Sequence, residues 1–325
     1  MAKQLTLFFL LAGHILFAQN TVPTQFDRFV DHSKIEWAAY ASDSFNFSAA
    51  GLNMLLLNRL TKNEIKASLP IESRTATADD IKYTKLDSID HIFYGDNEDE
   101  TMDAAGNVIT NKRAIPQKDN NNFKLTQLTQ ILFIEKGILK SYIPFVAPTL
   151  PVVTSTGQYL GERLYFASCF NYKYNSKPSR KSKLIFLRQT KKILQLNPEA
   201  TPGKLKEMYG HNLVETLWPY VLQNKIKAFS MDNRQLKPED LNVNLGNQQP
   251  AAVPVYDSAG NVVKYMFNAE PVGPEQFTRI EIVQDWYYDP RKNKVFSFIT
   301  EMILYVSKPN EKEEMETVPV LKLVY

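Results

Sequence analysis

Three short signatures recur in the same order along this chain, and that recurrence constrains its fold more than any other feature. Asn63-Glu64-Ile65-Lys66-Ala67 returns as Asn224-Lys225-Ile226-Lys227-Ala228, an offset of 161. Asp103-Ala104-Ala105-Gly106-Asn107-Val108-Ile109 returns as Asp257-Ser258-Ala259-Gly260-Asn261-Val262-Val263, an offset of 154. Ser141-Tyr142-Ile143 returns as Ser297-Phe298-Ile299, an offset of 156, with Lys136 and Lys292 in line. Each match is short, but three in one order at nearly one offset define a period. A chain of 325 residues has room for two tandem copies of a module of about 150 residues, an ordinary domain size.

Within each copy the local patterns are legible. Leu52, Leu55, Leu56 and Leu60 fall on one helical face, with Ser48 as candidate N-cap of a helix from Ser48 to Leu60. Leu213, Leu217, Val221 and Leu222 repeat it behind Asn212, and Pro219 should kink that helix or delay its start. A strand is expected after each helix, over Glu64–Leu69 and Lys225–Ser230. Each Ala-Gly-Asn supplies residues that tolerate positive φ, hence a hairpin or turn. Ile131–Ala147 and Ile280–Val306 alternate apolar with polar residues, as strand, turn and strand; Asp289-Pro290-Arg291-Lys292-Asn293 is the clearest turn. Helices with hairpins argue for an α+β fold, each copy holding mainly antiparallel sheet and one or two helices. The expected organisation is a signal peptide over 1–18, a first module over 19–171, a basic linker over 172–183 and a second module over 184–325.

The signal peptide rests on Lys3, the apolar run Leu5–Phe17 and a cleavage point at Ala18-Gln19. About 13 apolar residues are too few to span a bilayer comfortably, so the expected product is exported. One cysteine, Cys169, excludes an intramolecular disulfide and a cysteine-based zinc site. A formal charge of +3 gives no global drive towards nucleic acid.

Charge is concentrated in two runs. Tyr172–Lys183 carries Lys173, Lys177, Arg180, Lys181 and Lys183 with no acid. Asp96–Asp103 carries Asp96, Glu98, Asp99, Glu100 and Asp103. Such runs are usually solvated surface; the functional alternative is electrostatic docking of neighbouring subunits. Catalytic signatures are missing: no Gly-x-Ser-x-Gly, no phosphate loop, no Gly-x-Gly-x-x-Gly. His32 and Glu36 have metal-ligand spacing but are too few for a site. Cys169 has no neighbour to activate it and is expected in the core. Asp285 and Asp289, sharing a strand face with Tyr287, resemble a carboxylate pair for acid/base work, though a strand edge meeting a turn explains them more cheaply. On that strand Trp286 and Tyr288 face one way and Tyr287 the other, so Tyr287 is available to a partner.

Gln284-Asp285-Trp286-Tyr287-Tyr288-Asp289-Pro290, followed by the turn and strand of Val295–Pro309, resembles the gliding motility protein GldN (PorN) family. So does Leu217-Trp218 followed by Asn224-Lys225-Ile226-Lys227-Ala228-Phe229, with Asn224 where the family usually has Gly and Phe229 where it has Tyr. These departures, with Pro219 and a poorly kept family segment around Ile185–Leu196, mark a divergent member or a paralogue. The resemblance implies a non-enzymatic periplasmic subunit of the type IX secretion and gliding machinery, without cofactor or metal. It further implies assembly into an oligomeric ring with an outer-membrane lipoprotein of the GldK/PorK type, contact with the periplasmic part of an inner-membrane motor protein of the GldM/PorM type, and no nucleic acid. The candidate partner interface is Tyr287 with Lys173, Lys177, Arg180 and Lys181. The competing expectation is a secreted binding or hydrolytic protein built on Asp285 and Asp289.

Overall fold

The computed structural model describes residues 34–69, 82–95, 98–102, 105–114, 118–119, 121–154, 158–171, 176–180, 183–196, 206–209, 212–244, 251–258, 261–268, 273–309, 312 and 314–325. The expected signal peptide and the His32–Glu36 pairing lie wholly or partly outside them. The fold is mainly antiparallel sheet with few helices. The strands are β1 Ile35–Asn46, β2 Glu98–Met102, β3 Val108–Ala114, β4 Leu125–Glu135, β5 Ile138–Tyr142, β6 Val146–Thr154, β7 Tyr159–Leu164 and β8 Ile185–Gln195. They continue as β9 Lys206–Tyr209, β10 Lys227–Phe229, β11 Gln235–Leu236, β12 Ala251–Tyr256, β13 Val262–Asn268, β14 Phe277–Asp289, β15 Lys294–Pro309 and β16 Met315–Val324. Helices run over Leu52–Thr61, Leu86–Gly95, Leu213–Leu222 and Pro238–Asn244.

One sheet has the order β2-β3-β6-β4-β1-β9, with β5 also on β4 and β7 on β6. The second has the order β11-β10-β16-β15-β14-β8, and β12 pairs with β13 alone. Every strand pair is antiparallel. The first sheet is not built only from residues before 172, because β9 pairs with β1 through Ala38–Tyr40.

Several local geometries occur twice. The Leu52–Thr61 helix ends at Lys62 (φ −82, ψ 3) and the Leu213–Leu222 helix at Gln223 (φ −83, ψ 4). Asn63 (φ 56) and Asn224 (φ 55) then take the left-handed conformation that Asn tolerates. The N–H of Glu64 donates to Arg59 O, and that of Lys225 to Tyr220 O, both at 2.9 Å. Fully buried Gln130 donates Nε2 to Ser141 Oγ at 2.9 Å, and fully buried Gln284 donates to Ser297 Oγ at 2.8 Å. In both glutamines Oε1 is buried without a protein partner.

Three expectations need correction. Glu64–Leu69 is not a strand; only Ser68 bridges there, to Tyr83 and Ala167. The same helix-closing turn precedes β10, which has β11 and β16 beside it, whereas Glu64–Leu69 has only the isolated bridges of Ser68. Ser48 is not the cap of an α-helix but opens a short 3-10 turn, Ser48–Ala50. The helix starts after Gly51, whose φ of 63 reverses the chain and which has no side-chain cap bond. Pro219 does not delay its helix, which begins at Leu213 under an N-cap bond from Val214 N to Asn212 Oδ1 of 2.8 Å.

Two large cores each combine early and late parts of the chain. In one, the Leu213–Leu222 helix packs Leu217 and Trp218 with Trp37, Leu132 and Ile134 of the first sheet and with Ile280 and Leu304 of the second. In the other, Leu56 and Leu60 of the Leu52–Thr61 helix lie with Phe47, Trp286, Tyr288 and Val295. Each helix therefore covers sheet from the opposite end of the chain.

Candidate partner interface

From Gln284 to Tyr288, β14 alternates its burial as a two-sided strand does. Trp286 and Tyr288 are fully buried. The Trp286 indole donates to Thr190 Oγ1 at 2.7 Å and lies 4.9 Å from the Phe45 ring centre. Tyr287 faces the other way and is half-buried between two rings. Phe186 on β8 lies 5.3 Å from it at 63°, and Phe298 on β15 lies 5.6 Å from it at 69°. Phe186 is 51% exposed and Phe298 40%. The three rings form an edge-to-face stripe across three strands, reaching solvent at both ends.

The stripe opens at Phe298 into a groove of about 430 Å³. Its walls include Ile138 of β5, Phe296 and Phe298 of β15, Tyr325, Lys177 and Pro178. Lys177 is there because the segment 176–180 is tied down. Asp289, fully buried at the end of β14, accepts from Ser179 N at 2.8 Å and from the N–H groups of Arg291 and Lys292 at 3.1 and 3.3 Å. The Lys292 ammonium also donates to the Lys177 carbonyl. Burial by itself would raise the Asp289 pKa. The surrounding N–H donors outweigh that and hold it below the usual carboxylate range.

Of the interface residues expected from sequence, Tyr287 is in the stripe, Lys177 lines the groove, and Arg180 is exposed three residues further on. Lys173 and Lys181 lie outside the described residues. Sequence reasoning missed Phe186 and Phe298 as companions of Tyr287. Their meeting depends on register: Phe298 pairs with Asp285, two positions before Tyr287 on β14.

Asp285 and Asp289 have separate employment. Asp285 Oδ1 accepts from Gln189 Nε2 at 2.9 Å, whereas Asp289 holds the β14–β15 turn and Ser179. Cys169 is fully buried at φ 59, its Sγ 3.5 Å from Asn293 Oδ1, and burial pushes its thiol pKa up to about 12. Among the described residues, no cluster of three or more His, Cys, Asp or Glu could hold a metal ion, and no helix is long and apolar enough to cross a membrane.

Residues 200–325 match the family model described as Gliding motility associated protein GldN. That stretch contains both segments on which the sequence resemblance rests. No curated protein matches the chain.

Proposed function

We propose, from the match of residues 200–325 to the GldN family model, that this chain is a periplasmic structural subunit of the type IX secretion and gliding motility machinery, exported by residues 1–18. The family match over residues 200–325 carries this reading, and the outward Phe186–Tyr287–Phe298 stripe lies largely within the matched stretch. The subunit assembles with an outer-membrane lipoprotein of the GldK/PorK type into a ring. It also meets the periplasmic part of a motor protein of the GldM/PorM type, and Tyr287 is a contact residue. The body is two copies of one module, 19–171 and 184–325, joined by a basic linker over 172–183. The paired helix ends at Asn63 and Asn224 and the paired Gln–Ser bonds support that duplication.

The test is recovery of the tagged chain from gently solubilised envelopes. The expected result is very large particles containing a lipoprotein. Tyr287→Ala is expected to keep the melting temperature and lose lipoprotein recovery. A chain that leaves the envelope as a monomer or dimer without a lipoprotein overturns the proposal.

A further inference from the structure

The groove beside Phe298 has Lys177 in its wall, and three more cations belong to the segments that Asp289 ties together. Lys177 and Arg180 of the linker and Arg291 and Lys292 of the β14–β15 turn are all exposed. They are gathered because one buried carboxylate, Asp289, binds the backbone of both segments. Among the described residues, the acids nearby offset these cations only in part. Asp289 and Asp285 carry two negative charges against the four cations, and Glu135 on the far wall pairs with Lys140. The apolar wall is equally defined: Ile138, Phe298 and Tyr325 are each about two-fifths exposed or more around the same opening.

We propose that this groove takes an extended acidic segment of a partner protein. A large apolar side chain of that segment enters between Phe296, Phe298 and Ile138, and its carboxylates lie along Lys177, Arg180, Arg291 and Lys292. The proposal rests on the reading of this face as a partner interface and adds the chemistry of the partner. An apolar pocket supplies anchoring energy and unbalanced cations supply selection by charge, the usual division at protein interfaces. A second copy meeting this face about a two-fold axis would bring the same four cations towards themselves, so charge favours a different, acidic surface.

The experiment measures anisotropy of a fluorescein-labelled Asp-Glu-Phe-Asp-Glu-Phe-Asp peptide with the full mature chain. A peptide carrying Lys for every acid is the control. The acidic peptide is expected to bind saturably and to weaken as salt is raised, while the basic peptide does not bind. Lys177→Glu with Arg180→Glu is expected to lose about tenfold or more in affinity, with the melting temperature unchanged. Phe298→Ser is expected to lose affinity without losing salt dependence. Equal binding of the two peptides, or full affinity in the double charge reversal, overturns the proposal. So does concentration-dependent self-association in sedimentation that the same reversal abolishes, because a second copy is then the occupant. Normal acidic-peptide binding by a chain that recovers no lipoprotein supports this proposal while the assembly reading fails; the opposite pattern rejects this proposal alone.

Discussion

The helices Leu52–Thr61 and Leu213–Leu222 end in the same backbone geometry, yet different chemistry holds each against the other end of the chain. Arg59 and Tyr220 stand at matching places, 161 residues apart, each accepting at its carbonyl the N–H that closes the helix. Arg59 makes a polar clasp: Nη1 donates to the Tyr288 hydroxyl and, at 2.8 Å, to Pro290 O. Tyr288 OH in turn donates to Asn293 Oδ1 at 2.9 Å. Tyr220 makes a packed clasp. Its ring lies where a Cβ on Gly137 would come within 2.3 Å, and its hydroxyl donates to Glu36 Oε1 at 2.8 Å. The N-terminal ends differ as well. Asn53 is buried and donates to the carbonyls of Phe123 and Leu125 at 3.1 and 2.9 Å while accepting from Thr126 Oγ1 at 2.6 Å. The other helix starts with the Asn212 cap and a bond from Thr216 Oγ1 to Asn212 O at 3.0 Å. Backbone geometry can thus be kept while the side chains that dock it are exchanged, provided each buried polar group finds a partner.

The largest effect that sharpens this contrast is expected from Trp286→Ala. Leu132 opposes Ser141 across β4 and β5 as Trp286 opposes Ser297 across β14 and β15. Trp286→Ala should cost about 3–5 kcal/mol and Leu132→Ala about 2–5, measured by denaturant unfolding. Tyr287→Ala, on the outer face, should stay within about 1 kcal/mol of the parent. Next is Gly137→Ala, which forces a side chain into positive φ (73) and into the Tyr220 ring. A loss of about 2–4 kcal/mol is expected from overpacking and backbone strain combined. Gly106→Ala, at φ 83 with nothing within 4 Å, should lose only about 1–2. Adding Tyr220→Ala should relieve the steric part of the Gly137 variant; additive losses in that double-mutant cycle would break the packed-clasp account.

Asn53→Ala should cost about 2–3 kcal/mol, since two carbonyls and a hydroxyl lose a buried partner. Asn212→Ala removes one cap bond and should cost about 1. Equal losses would mean that the two helix starts are held alike. The smallest effect is pH-dependent. The folded pKa of Asp289 lies below its ordinary value of 3.8, so its contribution is present above that value and is lost as pH falls through the folded pKa. Asp289→Asn should be less stable than the parent by about 1–2 kcal/mol at neutral pH. Unfolding curves at neutral pH and near pH 2 should show that gap closing in acid. A gap independent of pH would take the charge out of the linker's attachment.

Much of the local plan could be read directly. The alternation in Ile280–Val306, broken by Asp289-Pro290 and Asn293, sufficed for the β14–β15 hairpin, because side-chain period and turn chemistry are both local properties. The same held for the helical leucine spacing, the Asn212 cap and the opposite facing of Trp286 and Tyr287. Tertiary structure decided the rest. Glu64–Leu69 pairs only at Ser68, because a strand needs neighbours, which β10 finds in β11 and β16. Gly51, not Ser48, starts the first helix, because the chain must turn sharply to carry Phe47 onto Trp286, 6.1 Å away. The Arg59–Tyr288 clasp joins residues 229 apart, and the Phe186–Tyr287–Phe298 stripe joins three strands. Periodicity reports which side of a strand faces the core. Which side chains become neighbours across strands depends on register, and register is fixed only when the whole sheet is assembled.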